Sequence, residues 1–340
     1  MLHEPGPKPT RTDLAVVGAG PLGLVTALTA ARAGLSVTVH ERAADFSAGA
    51  GWRAGGMLAP EIEAEVSSPA LVELGRRAMD LWPDLFPGVE RNGSLVVAGP
   101  REPGALDHFA AKTANHRLLG ADELAALEPQ VGERFRRALF YPSEGHLNTR
   151  DAYAGLAAAL AEAGVPILFS WTGDVADLAA ERVVDARGLG ARDRFPELRG
   201  VKGEMALIRC REIAIRRPVR LLHHRHPLYV VPRADGVYMI GATTIETDVS
   251  DTVTLRSAGE LLTQAYALHP AFAEAEVLEF NAGLRPAFPD NEPRIVEDGR
   301  LVAVNGLYRH GWLIAPALAE AIVNLITDRS TPAHARDAQR

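Results

Sequence analysis

The clearest feature of the first fifty positions is a change of hydrophobic period. Residues 13–17, Asp-Leu-Ala-Val-Val, form a short apolar run without alternation, as a parallel strand covered on both faces requires. From 22 to 33 small and apolar residues recur at helical spacing, Gly34 stops the helix, and 35–40 reads as a second strand. The result is one strand–helix–strand unit. A glycine-rich stretch, 48–60, follows and is not regular structure throughout. Beyond it the pattern predicts a helix over 69–85, a strand over 93–98, a short helix over 121–128 and an alanine-rich helix over 150–163. Strands follow at 165–170 and 182–186, then an antiparallel group at 201–210, 228–232 and 237–240. A helix over 258–268, a strand over 301–304 and a closing helix over 316–327 complete the chain. Parallel α/β units thus sit at both ends with antiparallel material between them.

With 340 residues the chain exceeds the usual size of one domain, so two are expected. The net charge is −7 and the basic residues are scattered, which speaks against nucleic acid as a partner. Cys210 is the only cysteine, so neither an intramolecular disulfide nor a cysteine metal cluster can form. The apolar segment 14–35, preceded by Lys8 and Arg11, has a superficial likeness to a signal peptide. Gly18, Gly20, Pro21, Gly23 and Arg32 interrupt it and it runs into a further strand, so a cytoplasmic protein without integral membrane association is expected.

Within the first unit, Gly18-Ala-Gly20-Pro-Leu-Gly23 matches the dinucleotide fingerprint G-x-G-x-x-G. Alone the motif is weak. Here it follows a strand and opens a helix, and Glu41 closes the second strand about twenty residues on, as the fingerprint requires. Gly18 permits a tight turn, Gly20 lets the backbone approach a diphosphate, and Gly23 allows close helix–strand packing. Pro21 and Leu22 open a helix whose N-terminus favours anions, and Glu41 can accept ribose hydroxyls. The motif does not separate NAD from FAD. The second glycine stretch, 51–60, favours FAD, because an isoalloxazine ring must lie flat against backbone.

The segment Ala54-Gly-Gly-Met-Leu-Ala-Pro60 resembles a signature of the FAD-dependent glycine oxidases of thiamine biosynthesis, within the D-amino-acid oxidase and sarcosine oxidase superfamily. The resemblance recurs at Tyr229-Val-Val-Pro-Arg233, at Ala282-Gly-Leu-Arg-Pro286 and at Gly306-Leu-Tyr-Arg-His-Gly-Trp-Leu-Ile-Ala-Pro316, in the family's order. It implies an α/β chain (α+β overall), with a Rossmann-like FAD-binding domain and an interleaved antiparallel-sheet substrate domain. The implied boundaries are 11–86, 145–200 and 286–330 for the first and 87–144 and 201–285 for the second, with flexible tails at 1–10 and 331–340. Arg42, Gly55, Gly56, Met57, Leu58 and Gly188 join the fingerprint residues as expected cofactor contacts. So do Arg309, His310, Gly311, Trp312 and Leu313, whose N–H groups near a helix start would stabilise the negative charge of a reduced flavin. Arg53 stands where a small residue is expected, and Gly51 where serine is frequent.

The implied reaction is oxidation of glycine to its imine, by hydride transfer from Cα to flavin N5, with O2 reoxidising the flavin to give hydrogen peroxide. Its catalytic residues would be Arg285, Tyr229 and Arg309. The planar fork of an arginine suits a carboxylate, so Arg285 is the expected carboxylate clamp and the Tyr229 hydroxyl its support. Met57, Tyr229, Thr244 and Trp312 are candidate pocket walls. Hydride transfer from a neutral amine needs no general base, and none stands out. His223, His224 and His226 lack an acidic partner at suitable spacing, so no metal is expected. Rival readings are oxidation or dehydrogenation of sarcosine, a D-amino acid or D-proline, a flavin-dependent tRNA-modifying enzyme, or a catalytically silent flavoprotein. A homo-oligomer is left open.

Overall fold

Two sheets, laid down by a chain that crosses between them, organise the structure. It is a computed structural model that describes residues 12–99, 102, 104–223, 227–249 and 252–330. The tails at 1–10 and 331–340 lie outside the described residues. The first sheet has six strands in the order Arg294–Asp298, Leu301–Asn305, Ala180–Asp185, Thr12–Val17, Val37–His40, Ile167–Leu168. Its pairings are parallel except between Arg294–Asp298 and Leu301–Asn305. Thr12–Val17 lies between two strands, with Val16 opposite Val39 on one side and Val184 on the other.

The helices Pro21–Arg32, Pro69–Leu85, Thr149–Glu162 and Gly311–Ser330 gather on one side of this sheet. Leu14, Val16, Leu24, Leu28, Trp82, Leu156, Ile314 and Ile322 meet there in one core. Ala15 and Val17 face the other side and pack with Val183, Leu301 and Trp171. The first strand is therefore buried on both faces, which is why its sequence does not alternate.

The second sheet has nine strands. Along its path run Ile245–Glu246, Arg199–Arg209, Val237–Gly241, Leu228–Pro232, Val219–Leu222, Ser94–Ala98, Ala138–Tyr141 and Arg117–Leu119, and Glu276–Ala287 also pairs with Arg199–Arg209. It is antiparallel except where Val219–Leu222 meets Ser94–Ala98. A two-stranded ribbon, Met57–Leu58 with Gly145–His146, lies apart from both sheets. No described helix is long and apolar enough to cross a membrane.

Two departures from the sequence pattern have identifiable causes. The closing helix starts at Gly311, five residues before the Pro316 at which the pattern places it. Proline lacks the N–H that would bond the carbonyl four residues back. That carbonyl, on Trp312, instead accepts the indole Nε1–H of the buried Trp82 at 3.1 Å, and the helix continues through the proline. The strand Glu276–Ala287 carries no clear alternation, since only Ala282 and Ala287 along it are buried. Its ladder with the neighbouring strand, from Arg199 opposite Ala287 to Arg209 opposite Glu276, defines it instead.

Candidate active site

Each glycine of the first turn meets a different constraint. Gly18 has φ +102°, and a Cβ there would stand 2.5 Å from the Ala186 carbonyl oxygen. A Cβ on Gly23 would stand 1.9 Å from the Gly18 carbonyl oxygen, so the helix is packed directly on the turn. Gly20 differs, with no atom within 4 Å of the position its Cβ would take. It is the N-cap of the helix, and no side chain caps the helix there. Its open side faces a cavity of about 920 Å³, which Gly18, Gly20, Pro21, Leu22, Gly23, Glu41 and Arg42 line. Glu41 sits at the rim, one oxygen accepting from the Ala19 N–H at 2.7 Å and the other from the Ala43 N–H at 2.9 Å. A carboxylate has about four acceptor positions, so both oxygens retain capacity for ligand hydroxyls.

The cavity continues over the second glycine loop. Gly56 has φ +75°, with the Leu147 carbonyl oxygen 2.2 Å from the place of its Cβ, so no other residue fits. Arg233 latches this loop. Its Nη2 donates to the Gly55 carbonyl at 2.6 Å, and its Nη1 donates to those of Leu147 at 3.1 Å and Pro232 at 3.2 Å. Burial pushes its pKa down to about 10, which leaves it charged at neutral pH. Met57 lines the cavity and packs near Met205, Tyr229 and Met239. Leu58 does not line it: the pleat turns this side chain away, and it is fully buried in the helix-side core.

Gly188, Arg309, His310, Gly311, Trp312 and Leu313 form a further wall. Asn305 Nδ2 donates to the Gly188 carbonyl at 2.8 Å. The hydrogen bond from Ile314 N–H to the His310 carbonyl, 2.9 Å, opens the ladder of the closing helix. The N–H groups of its first turn precede that ladder and are directed outward from the helix end. The Trp312 indole is turned toward the start of the second glycine stretch, where its Nε1–H donates to the Gly51 carbonyl at 2.9 Å. Arg53 reaches across to the other sheet, donating from Nη1 to the Ala282 carbonyl at 2.6 Å.

At the end near the nine-stranded sheet stand Arg285, Tyr229, Thr244, Met205 and Leu284. Val201 pairs with Arg285 and Gly203 with Gly283 across the two strands. The Arg285 guanidinium leans over Gly203, where a Cβ would meet Nη2 at 2.2 Å and Cζ at 2.4 Å. Its Nη1 donates to the Thr243 carbonyl at 3.1 Å. Among the described residues no carboxylate lies within ion-pair distance of it, and desolvation pushes its pKa down. The Tyr229 hydroxyl stands beside Gly55 and Gly241. Burial raises its pKa, against the pull of Arg285 and Arg309, so it is an O–H donor.

Arg309 is held otherwise. Its Nε and Nη2 both donate to one oxygen of Glu63, at 2.8 and 2.5 Å. Burial alone would lower the Arg309 pKa, but the Glu63 charge and hydrogen bonds outweigh it. Burial likewise acts to raise the Glu63 pKa, and Arg309, His310 and Arg220 together hold it below the usual value. His310, with Nδ1 3.6 Å from Glu63, is pushed down to about 4 by burial and is neutral at pH 7. Of the histidine cluster, His224 and His226 lie outside the described residues. Among the described residues no three His, Cys, Asp or Glu side chains are grouped to hold a metal ion.

The structure thus brings Arg285, Tyr229 and the glycine turns to one cavity. Sequence reasoning missed Gly203, Glu63 and the latching role of Arg233. Only Arg233 carried a visible signal, as the last residue of a motif already singled out for its tyrosine.

A glycine-cornered strand–helix–strand unit with Glu41 at the second strand end, open to a large cavity and faced by a second glycine loop, defines a flavin-dinucleotide oxidoreductase. The chain belongs to the family described as FAD dependent oxidoreductase (DAO), which matches residues 13–325, and its cofactor is FAD. It is 49% identical to a Rhizobium etli protein provisionally named thiamine biosynthesis oxidoreductase ThiO, over 93% of this chain and 97% of that one. It is 29% identical to the glycine oxidase of Geobacillus kaustophilus, over 94% of each chain. The solved structure of glycine oxidase from Bacillus cereus superposes with a TM-score of 0.82 at 26% identity, covering 93% of this chain and 97% of that one.

Proposed function

We propose that this enzyme oxidises glycine to its imine and supplies the thiazole branch of thiamine biosynthesis, as a cytoplasmic oxidase whose terminal acceptor is O2, reduced to hydrogen peroxide. When bound, FAD supplies the two-electron acceptor. In this reading the turn Gly18–Gly23 and the helix end behind it hold the diphosphate, and Glu41 takes the ribose hydroxyls. Gly55, Gly56 and Met57, which line the same cavity, would lie against the isoalloxazine. The first-turn N–H groups at Gly311 to Leu313 would stabilise negative charge on a flavin held there. The same reading assigns 11–86, 145–200 and 286–330 to the FAD-binding domain, and 87–144 and 201–285 to the substrate domain.

The observation that carries the substrate assignment is Arg285. A cation withdrawn from bulk water without a paired carboxylate is costly, and a bound substrate carboxylate would remove that cost. The guanidinium fork and the Tyr229 hydroxyl together suit an α-carboxylate. Arg309 is committed to Glu63 and shapes the pocket from its other side. No side chain is needed to take a proton from Cα, provided the amine binds in its neutral form.

The test is peroxide production under air across glycine, sarcosine, D-alanine, D-valine, D-proline and L-alanine. Each added methylene in a tight pocket shifts discrimination by roughly 1–3 kcal/mol, so kcat/KM should fall from glycine to D-alanine to D-valine. L-alanine should be inert. If D-proline or a bulky D-amino acid beats glycine by a wide margin in kcat/KM, the glycine assignment is wrong.

A further inference from the structure

Glu63 keeps one carboxylate oxygen uncommitted at the substrate end of the cavity. Both hydrogen bonds from Arg309 go to its Oε2, and His310 Nδ1 is nearest to that same oxygen. Among the described residues nothing donates to Oε1, although a carboxylate offers about four acceptor positions. Oε1 is open to solvent: the side chain is 19% exposed, and this oxygen is not one of the sealed, unpartnered polar atoms of the interior. Desolvation by burial is nevertheless the largest single influence on the Glu63 pKa. The open area therefore faces the cavity, which Glu63 lines, rather than the outer surface.

The backbone that carries Glu63 is fixed without help from Arg309. Glu63 ends the short helix Pro60–Glu63, directly after the second glycine loop. On that helix the Ile62 N–H donates to Glu144 Oε1 at 2.8 Å. Glu61 accepts from Arg76 at 2.7 and 2.8 Å and from Asn115 at 3.1 Å. The same end of the cavity holds Arg285, the cation without a carboxylate partner among the described residues. Desolvation dominates the Arg285 pKa, and Glu63 and Arg309 act on it in opposite senses. Arg285 and Glu63 are thus near enough for their charges to interact and too far apart to pair. A cation and a carboxylate oxygen so placed leave room for a small group of both polarities. An α-amino acid is such a group, with its carboxylate and its nitrogen on one carbon.

We propose that Glu63 Oε1 accepts an N–H of the substrate amino group while Arg285 holds the substrate carboxylate, which makes Glu63 the residue that recognises the amine. An ammonium and a neutral amine both carry N–H donors, so the contact serves binding before and after the ammonium loses its proton. The proposal rests on Arg285 as the carboxylate clamp and holds for any α-amino acid that the pocket admits.

The experiment compares glycine with propionate, in which a methyl replaces the amino group, on the FAD-loaded full chain. The Kd for glycine is read from the concentration dependence of anaerobic flavin reduction, and that for propionate from the visible flavin spectrum. In Glu63→Gln the affinity for glycine should fall roughly ten-fold or more, as expected for one hydrogen bond to a charged group. Propionate should bind as well as to wild type or more tightly, because removing a negative charge near Arg285 cannot weaken an anion held there. Glu63→Asp keeps the charge and should lose less glycine affinity than Glu63→Gln. If Glu63→Gln does not retain FAD, Glu63→Asp carries the same comparison, with a larger loss for glycine than for propionate. Unchanged glycine affinity overturns the proposal. So does a parallel loss for glycine and propionate, which would mean that Glu63 acts only by holding Arg309 in place. If the wild-type flavin is reduced by D-alanine and not by glycine, the glycine assignment fails, and D-alanine with isobutyrate supplies the same comparison for Glu63.

Discussion

Adding one methyl group at Gly203 should disable the carboxylate clamp without touching the clamp residue. The Cβ of alanine there would lie 2.2 Å from Arg285 Nη2 and 2.7 Å from Nη1, and ordinary contact begins at 3.4 Å. Nη2 must therefore retreat by roughly 1.2 Å, the difference between the contact limit and 2.2 Å. Such a shift breaks the parallel pair of hydrogen bonds to a carboxylate, a contact worth about 1.5–3 kcal/mol. The corresponding loss in kcat/KM for glycine is about ten- to one-hundred-and-fifty-fold, falling mainly on KM if the clamp holds substrate and transition state alike. The moving atoms are the end of a flexible side chain, so unfolding should change by less than about 1 kcal/mol, and FAD content should not change. Gly259→Ala is the control: nothing stands within 4 Å of its Cβ position, and it lies in the helix Leu255–Leu268. Steady-state peroxide kinetics with both variants, alongside thermal unfolding, decide the matter. Wild-type KM and kcat/KM in Gly203→Ala would show that Arg285 does not hold the carboxylate in this pose.

Three further outcomes are expected. Arg285→Lys should weaken glycine binding by about ten-fold or more with FAD content intact, because an ammonium cannot make the bidentate pair; titration of the visible flavin spectrum with a non-reacting carboxylate reads this directly. Trp82→Phe should destabilise the fold by about 1–3 kcal/mol in urea unfolding, because the Trp312 carbonyl, which Pro316 cannot bond, loses the indole donor; a change near zero would count against that account. His146 is buried, neither ring nitrogen makes a hydrogen bond although Nε2 stands 3.7 Å from a Glu90 carboxylate oxygen, and burial holds its pKa down at about 4 against an ordinary 6.5. The unfolded chain therefore takes up a proton that the folded chain does not, and stability falls as pH drops from about 6.5 toward 4. Between pH 7 and 5 this component is about 2 kcal/mol, so His146→Leu should flatten the acid limb by that much, and parallel pH profiles for the two proteins would refute it.

The nucleotide half of the site was legible because its constraints are local. A double-sided strand, a helical repeat and glycines at 18, 20 and 23 express a period and a set of backbone angles, and these depend on residues within a few positions of one another. The amphipathic stripe of Pro69–Leu85 was readable for the same reason. Resemblance then singled out Arg285 and Tyr229, but not what surrounds them. That Arg285 lies on a strand and crosses Gly203 follows from the register of Glu276–Ala287 on Arg199–Arg209. Arg309 meets Glu63 across 246 positions, and Arg233 latches Gly55 across 178. The Tyr153 phenol comes to the second glycine stretch, beside Gly51, from a helix about a hundred residues on. In the sequence these are a surface-type glutamate, one arginine among many and a helix tyrosine. Their meaning comes from burial and from which partners the closed cavity supplies. Periodicity fixes which face of an element turns inward, whereas the pairing of charges and hydroxyls inside depends on how distant elements are set against one another, and that is decided only when the two sheets and their helices pack.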